Sequence, residues 1–112
     1  MASKNKVSTT SYKEWLLEKL KDPKEAQGYL EVTFEEYMKD GDIQTFLLAL
    51  RDVVEARCGT LGELASKTKL NRQHLYKVLS TKGNPQMNTI FTIMNALGFQ
   101  ITFKFKPIKK AA

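Results

Sequence analysis

The sequence has one cysteine and one histidine, and these two scarcities remove several kinds of chemistry. A single thiol, Cys58, can close no internal disulfide and makes no structural zinc site alone. It stands just before Gly59 at an expected helix end, where it reads as a small packed side chain. No glycine-rich phosphate loop and no metal-ligand cluster occurs, and His74 has no nearby partner for nucleophilic chemistry. Glu35-Glu36 reads as a solvated face, and Asp40 and Asp42 read as helix-end residues. An enzyme, a metal, a cofactor and a small-molecule substrate are therefore not expected. No apolar run approaches the ~20 residues that span a bilayer. The opening MASKNKVSTTS has no apolar core to serve as a secretory signal. The expectation is a cytoplasmic protein with no membrane partner.

What is present fits one globular domain. The chain has 112 residues, 42% hydrophobic and 27% charged, enough for a modest core. Its net charge of +6 is unevenly spread. Residues 1–42 carry seven Lys against nine acids, a balance of −2. Residues 43–112 carry eleven Lys plus Arg against three acids, a balance of +8. A basic half beside a mildly acidic one suggests two different partners. The basic half suits phosphate, whose binding releases counterions and weakens with salt.

Residues 1–11 are polar and expected to lack structure alone. In SYKEWLLEKLKD, Tyr12, Trp15, Leu16, Leu17 and Leu20 recur at near-helical spacing over barely two turns. So short a helix persists only if its apolar face docks, on its own domain or on a partner. Asp22-Pro23 starts a second helix, with Asp as cap and Pro where its missing N–H costs nothing. Ala26, Tyr29, Leu30, Phe34, Tyr37 and Met38 give it a broad apolar face, and Gly41 ends it. Asp42 is expected to cap the third helix, where Ile43, Phe46, Leu47, Leu50, Val53 and Val54 follow a 3.6 period. The second helix has more aromatic surface than one amphipathic helix needs. Either that surface extends the core or some of it faces a partner.

The stretch TLGELASKTKLNRQHLYKVLS reads as two short helices joined by a tight turn. Thr60 and Asn71 are their expected N-caps. Leu61, Leu64 and Ala65 share one face of the first; Leu75, Val78 and Leu79 share one face of the second. Arg72, Gln73, His74 and Lys77 point outward as a crowd of donors sized for a major groove. Beyond the STKGNP turn, Asn88 is the expected cap of TIFTIMNAL, with Ile90, Phe91, Ile93, Met94 and Leu97 closing the core before Gly98. FQITFKFKP then alternates without fault, with Phe99, Ile101, Phe103 and Phe105 on one face. That pattern predicts a half-buried β-strand ending before Pro107.

The spacing of Ala65, Leu70, Asn71, Leu75 and Val78 resembles a Cro/repressor-type helix-turn-helix. More closely, the run from about Tyr29 to Gly98 resembles the addiction-module antidote proteins. These are helix-turn-helix antitoxins paired with small RelE/ParE-type toxins. One position departs: the family turn commonly has Gly where this chain has Lys69, in a left-handed backbone that costs a non-Gly residue roughly 1 kcal/mol. The resemblance implies that the region ahead of the helix-turn-helix contacts the toxin. Trp15, Leu16, Tyr29, Leu30, Phe34 and Tyr37 are the candidates.

The fold expected is mainly α: a five-helix Cro/repressor-like helix-turn-helix domain (residues 42–98) preceded by a helical toxin-binding or buttress region (12–41). The strand (99–107) and a basic tail (108–112) follow. A lone strand must pair somewhere. The simplest partner is the same strand of a second chain, giving a two-fold homodimer; a partner's sheet edge is the alternative. The function expected is an antitoxin that neutralises its cognate toxin and represses its own operon by binding palindromic operator DNA. A stand-alone phage- or host-type repressor is the alternative. Arg72, Gln73, Lys77 and His74 are candidates for base edges. Asn71, Thr60, Lys67, Lys82 and Asn84 are candidates for phosphates.

Overall fold

The computed structural model describes residues 9–80 and 84–109. Six helices and no strand occur among them: α1 (Thr9–Lys19), α2 (Pro23–Asp40), α3 (Gln44–Arg57), α4 (Leu61–Thr68), α5 (Arg72–Val78) and α6 (Met87–Ala96). The mainly-α expectation holds. None of these helices is long and apolar enough to cross a membrane. α1 starts at Thr9, so the end of the 1–11 stretch expected to lack structure is helical. Residues 1–8 lie outside the described residues, as do 81–83 and 110–112.

α3 is the central element, because one broad face of it is buried. Phe46, Leu47, Ala49, Leu50, Val53 and Val54 are all buried. α1, α2 and α4 pack on it, while α5 and α6 pack on α4. Leu16 and Leu20 of the N-terminal segment, Ala26 and Leu30 of α2, and Leu64, Leu75 and Ile93 of the later helices join one contiguous core. Residues 12–41 and 42–98 therefore share a single interior.

Helix ends follow local chemistry closely. The Asp22 carboxylate accepts from the Lys24 amide at 2.9 Å, and Pro23 opens α2. Gly41 closes α2 in the left-handed region, its N–H donating to the Tyr37 carbonyl. Asp42 accepts from the Gln44 amide at 3.0 Å, as a capping side chain should, although Ile43 is the residue that flanks the helix. Asn88 does not cap α6. That helix begins at Met87, after Gln86, whose side chain makes no cap hydrogen bond. Thr89 and Ile90 instead anchor the first turn through their amides to the Gln86 carbonyl.

The strand expected over 99–107 does not form; the chain from Phe99 to Ile108 has no regular structure. Alternation supplies only a face, and a strand also needs a hydrogen-bonded neighbour, which no other segment among the described residues offers. Its first residues go to the core instead. Gly98 turns the backbone with φ 91°, and the Phe99 amide donates to the Met94 carbonyl at 2.9 Å. Phe99 and Ile101 then pack, half-buried, on the core. The Arg57 guanidinium lies 5.4 Å from the Phe99 ring centre. Arg57 also donates to the carbonyls of Leu97 and Lys21 at 3.3 and 3.0 Å, tying the ends of α6 and α1 together. Phe103 and Phe105 stay outside, 58% and 90% exposed, and touch each other edge to face at 5.3 Å.

Candidate functional site

The α4–α5 pair is built by two side-chain caps and one strained turn. Thr60 Oγ1 accepts from the Glu63 amide at 3.1 Å, which fixes the start of α4. Asn71 Oδ1 accepts from the amides of Gln73 and His74 at 2.8 and 3.2 Å, which fixes the start of α5. Between them Lys69 is the only non-glycine residue of the described chain with positive φ, at 64°, and its amide donates to the Ala65 carbonyl. Thr68 steadies this turn from inside: its hydroxyl donates to the Leu64 carbonyl at 2.8 Å and accepts from the Leu70 amide. Leu64, Leu75 and Leu79 are fully buried beneath the pair.

That burial sets what faces outward. Arg72, Gln73, His74 and Lys77 are exposed on α5, and Lys67 is exposed on α4. Thr60 and Asn71 are exposed too, with their side-chain oxygens already engaged as caps; the Asn71 amide nitrogen remains a donor. Arg72 lies close to the first turn of α4: a Cβ on Gly62 would stand 4.0 Å from its Nε and 3.7 Å from Thr60 Oγ1. The structure thus gathers Thr60, Asn71 and Arg72 at one corner of the helix pair. Asn84 is exposed in the segment leading to α6. Lys82 lies outside the described residues.

One exposed residue of α5 is not marked by the apolar period. Tyr76 is 48% exposed, and the Arg72 guanidinium lies 5.9 Å from its ring centre. Its spacing of four from Arg72 on a helix was the available signal.

The residues expected to meet a protein partner do not form one surface. Leu16 and Leu30 are buried in the core. Phe34 is half-buried, with its ring edge-on to Phe46 at 5.3 Å and near Tyr37 at 5.6 Å. The Tyr29 hydroxyl donates to Asp52 Oδ2 at 2.8 Å. Trp15 alone of the group is well exposed, at 54%, paired with exposed Tyr12 and covered on one face by the Lys19 ammonium at 4.9 Å.

Tyr29 belongs to a polar clamp that spacing did not reveal. Lys13 of α1 pairs with Asp52 at 2.9 Å and with Glu55 at 2.8 Å, both on α3. Asp52 thereby joins α1, α2 and α3 at one carboxylate. The hydrogen bond that Lys13 donates to Glu55 first, and the one it donates to Asp52 second, raise the Lys13 pKa. Burial first, and the Asp52 contact second, push the Tyr29 phenol well above its ordinary range. The clamp lines an open groove with Thr45, Leu48 and Arg51.

A family model described as "Probable addiction module antidote protein" matches residues 13–105 of this chain. The chain belongs to that family. The match runs from within α1 through α6 and into the C-terminal segment. A Haemophilus influenzae protein described only as uncharacterized is similar, with 35% identity over 83 residues. That alignment covers 74% of this chain and 79% of the relative. No solved structure matches the chain.

Proposed function

We propose that this antidote-family protein is the antitoxin of a RelE/ParE-type toxin–antitoxin pair and represses its own operon as a DNA-binding dimer. The observation that carries the reading is the family match over residues 13–105. The DNA part is supported by two capped helices joined at a three-residue turn, the second presenting Arg72, Gln73, His74 and Lys77. Arg and Lys suit guanine O6/N7, and Gln suits adenine N6/N7. Lys67, Asn71, Asn84 and Lys82 are the phosphate contacts of this reading. Gln73→Ala relaxes sequence preference, whereas Lys67→Ala weakens binding to every sequence and flattens the salt slope.

Two separate patches are the candidates for the toxin: Trp15 with its neighbour Tyr12, and the half-buried rings of Phe34 and Tyr37. Leu16 and Leu30 are spent on the core, and Tyr29 is tied to Asp52. A dimer built on the C-terminal segment is supported by the exposed Phe103–Phe105 pair, with a second copy supplying the pairing that one chain lacks. Self-association in light scattering, lost in Phe103→Asp/Phe105→Asp without loss of helix content, tests it.

The stand-alone repressor remains the second reading, favoured by one observation: much of the N-terminal apolar surface is spent on the protein's own core. Co-expression with the neighbouring reading frame, followed by size-exclusion with light scattering, separates the two. A stable complex that is weakened by Trp15→Ala supports the antitoxin. A homodimer that ignores its neighbour yet shifts its own promoter DNA leaves the plain repressor.

A further inference from the structure

Tyr76 has no packing reason to be where it is. It is 48% exposed on a seven-residue helix whose buried face is already made by Leu75 and Val78. Its ring does have a neighbour. The Arg72 guanidinium lies 5.9 Å from the ring centre, one helical turn away, within the range of a cation–π contact. Among the described residues Arg72 makes no ion pair and no side-chain hydrogen bond. Arg72 Nε also lies near the first turn of α4, 4.0 Å from where a Cβ on Gly62 would stand.

We infer that Tyr76 is a positioning residue that aims Arg72 at DNA. An arginine at an exposed helix start samples many rotamers, and ordering it costs free energy at the moment of binding. A ring against the guanidinium face restricts that sampling before DNA arrives. A cation–π contact also leaves the guanidinium N–H donors unclaimed by any carboxylate or carbonyl of the protein. The edge that reads guanine therefore stays free. Tyr76 in this role acts through Arg72, and its phenol hydroxyl contributes nothing.

The inference rests on the DNA-binding reading, and the test keeps the two failures apart. Binding of wild-type protein, Y76A, Y76F, R72A and R72A/Y76A is measured on the protein's own promoter fragment and on a random fragment of equal length. Y76A loses about five-fold or more on the promoter and little on random DNA, an effect of the size expected for a cation–π contact that becomes desolvated. Y76F stays near wild type, and Tyr76→Ala costs almost nothing once Arg72 is gone. Equal losses from Tyr76→Ala in both backgrounds overturn the inference, as does a Y76F as weak as Y76A. Wild-type protein that prefers neither fragment overturns the DNA reading and this inference with it. A DNA-free readout covers any folding defect: the Arg72 side-chain protons are shifted upfield by the ring in wild type and Y76F. No such shift in wild type overturns the positioning role whatever the DNA result.

Discussion

Lys69 holds a backbone that a side chain resists. Its φ and ψ are 64° and 18°, and its amide donates to the Ala65 carbonyl, so the turn between α4 and α5 depends on this conformation. For an L-residue the left-handed region costs roughly 1–2 kcal/mol, from the crowding of Cβ against the following carbonyl oxygen. Glycine lacks that crowding but gives the unfolded chain more freedom, worth about 0.5–1 kcal/mol in the opposite direction. The difference favours Lys69→Gly by about 0.5–1 kcal/mol. In a chain of this size that raises the thermal midpoint by roughly 2–5 °C. Lys69 is exposed and makes no ion pair among the described residues, so little packing is lost. Urea melts of wild type, K69G and K69A decide the matter, with unchanged slopes showing that the surface exposed on unfolding is the same in all three. K69A keeps the Cβ and should gain nothing. A gain in K69A equal to that in K69G would refute the argument, because the lysine stem or charge would then be the source of strain.

The clamp around Asp52 makes stability fall in alkali. Lys13 and Tyr29 both hold their protons more tightly folded than unfolded. Their contribution is complete below the ordinary values of 10.5 and 10.0 and is lost as pH rises through the higher folded ones. Urea midpoints taken from about pH 8 to about pH 11 should drop in wild type and drop less in Y29F; parallel curves would remove Tyr29 from the account. Leu75→Ala empties a fully buried site under α5 and costs about 2–5 kcal/mol by urea denaturation. A loss below about 1 kcal/mol would mean that α5 is not held by the core. Because α1 to α6 share one interior, helix content and Trp15 fluorescence should melt together. Two separated transitions would show that the N-terminal helices are an independent unit.

The helices were legible because two signals agreed on them: the 3.6 period and residues able to cap. Asp22, Thr60, Asn71 and Gly41 each do what their chemistry suggests. α6 was misplaced at its start because its first turn is held by backbone amides alone, which leave no mark in the side chains. Periodicity also did not resolve the short N-terminal helix. Trp15 and Leu16 are adjacent, and adjacent residues on a helix point about 100° apart. The core takes Leu16 and Leu20 and leaves Tyr12 and Trp15 outside. The strand failed for a different reason. Alternation in FQITFKFKP is real, but it supplies only a face, and the hydrogen-bonded neighbour that a strand needs is not marked in the segment itself.

The same limit explains how the candidate surfaces were read. The exposed donors on α5 followed from which residues the leucines bury, so a correct register was enough. A protein-binding surface is defined by what the core leaves unused, and that is known only after the helices have chosen their neighbours. Asp52 shows the difference. Read alone it is one acid in a basic half, yet it fastens α1 and α2 to α3 through Lys13 and Tyr29. α3 in turn carries α4 on its apolar surface. A partner that binds only the folded N-terminal helices therefore stabilises the element on which the α4–α5 pair rests. By reciprocity, DNA bound at α5 would favour the same folded ensemble. Any two ligands bound at those two places would share one folding equilibrium through the common core, without any signal having to pass along a dedicated path.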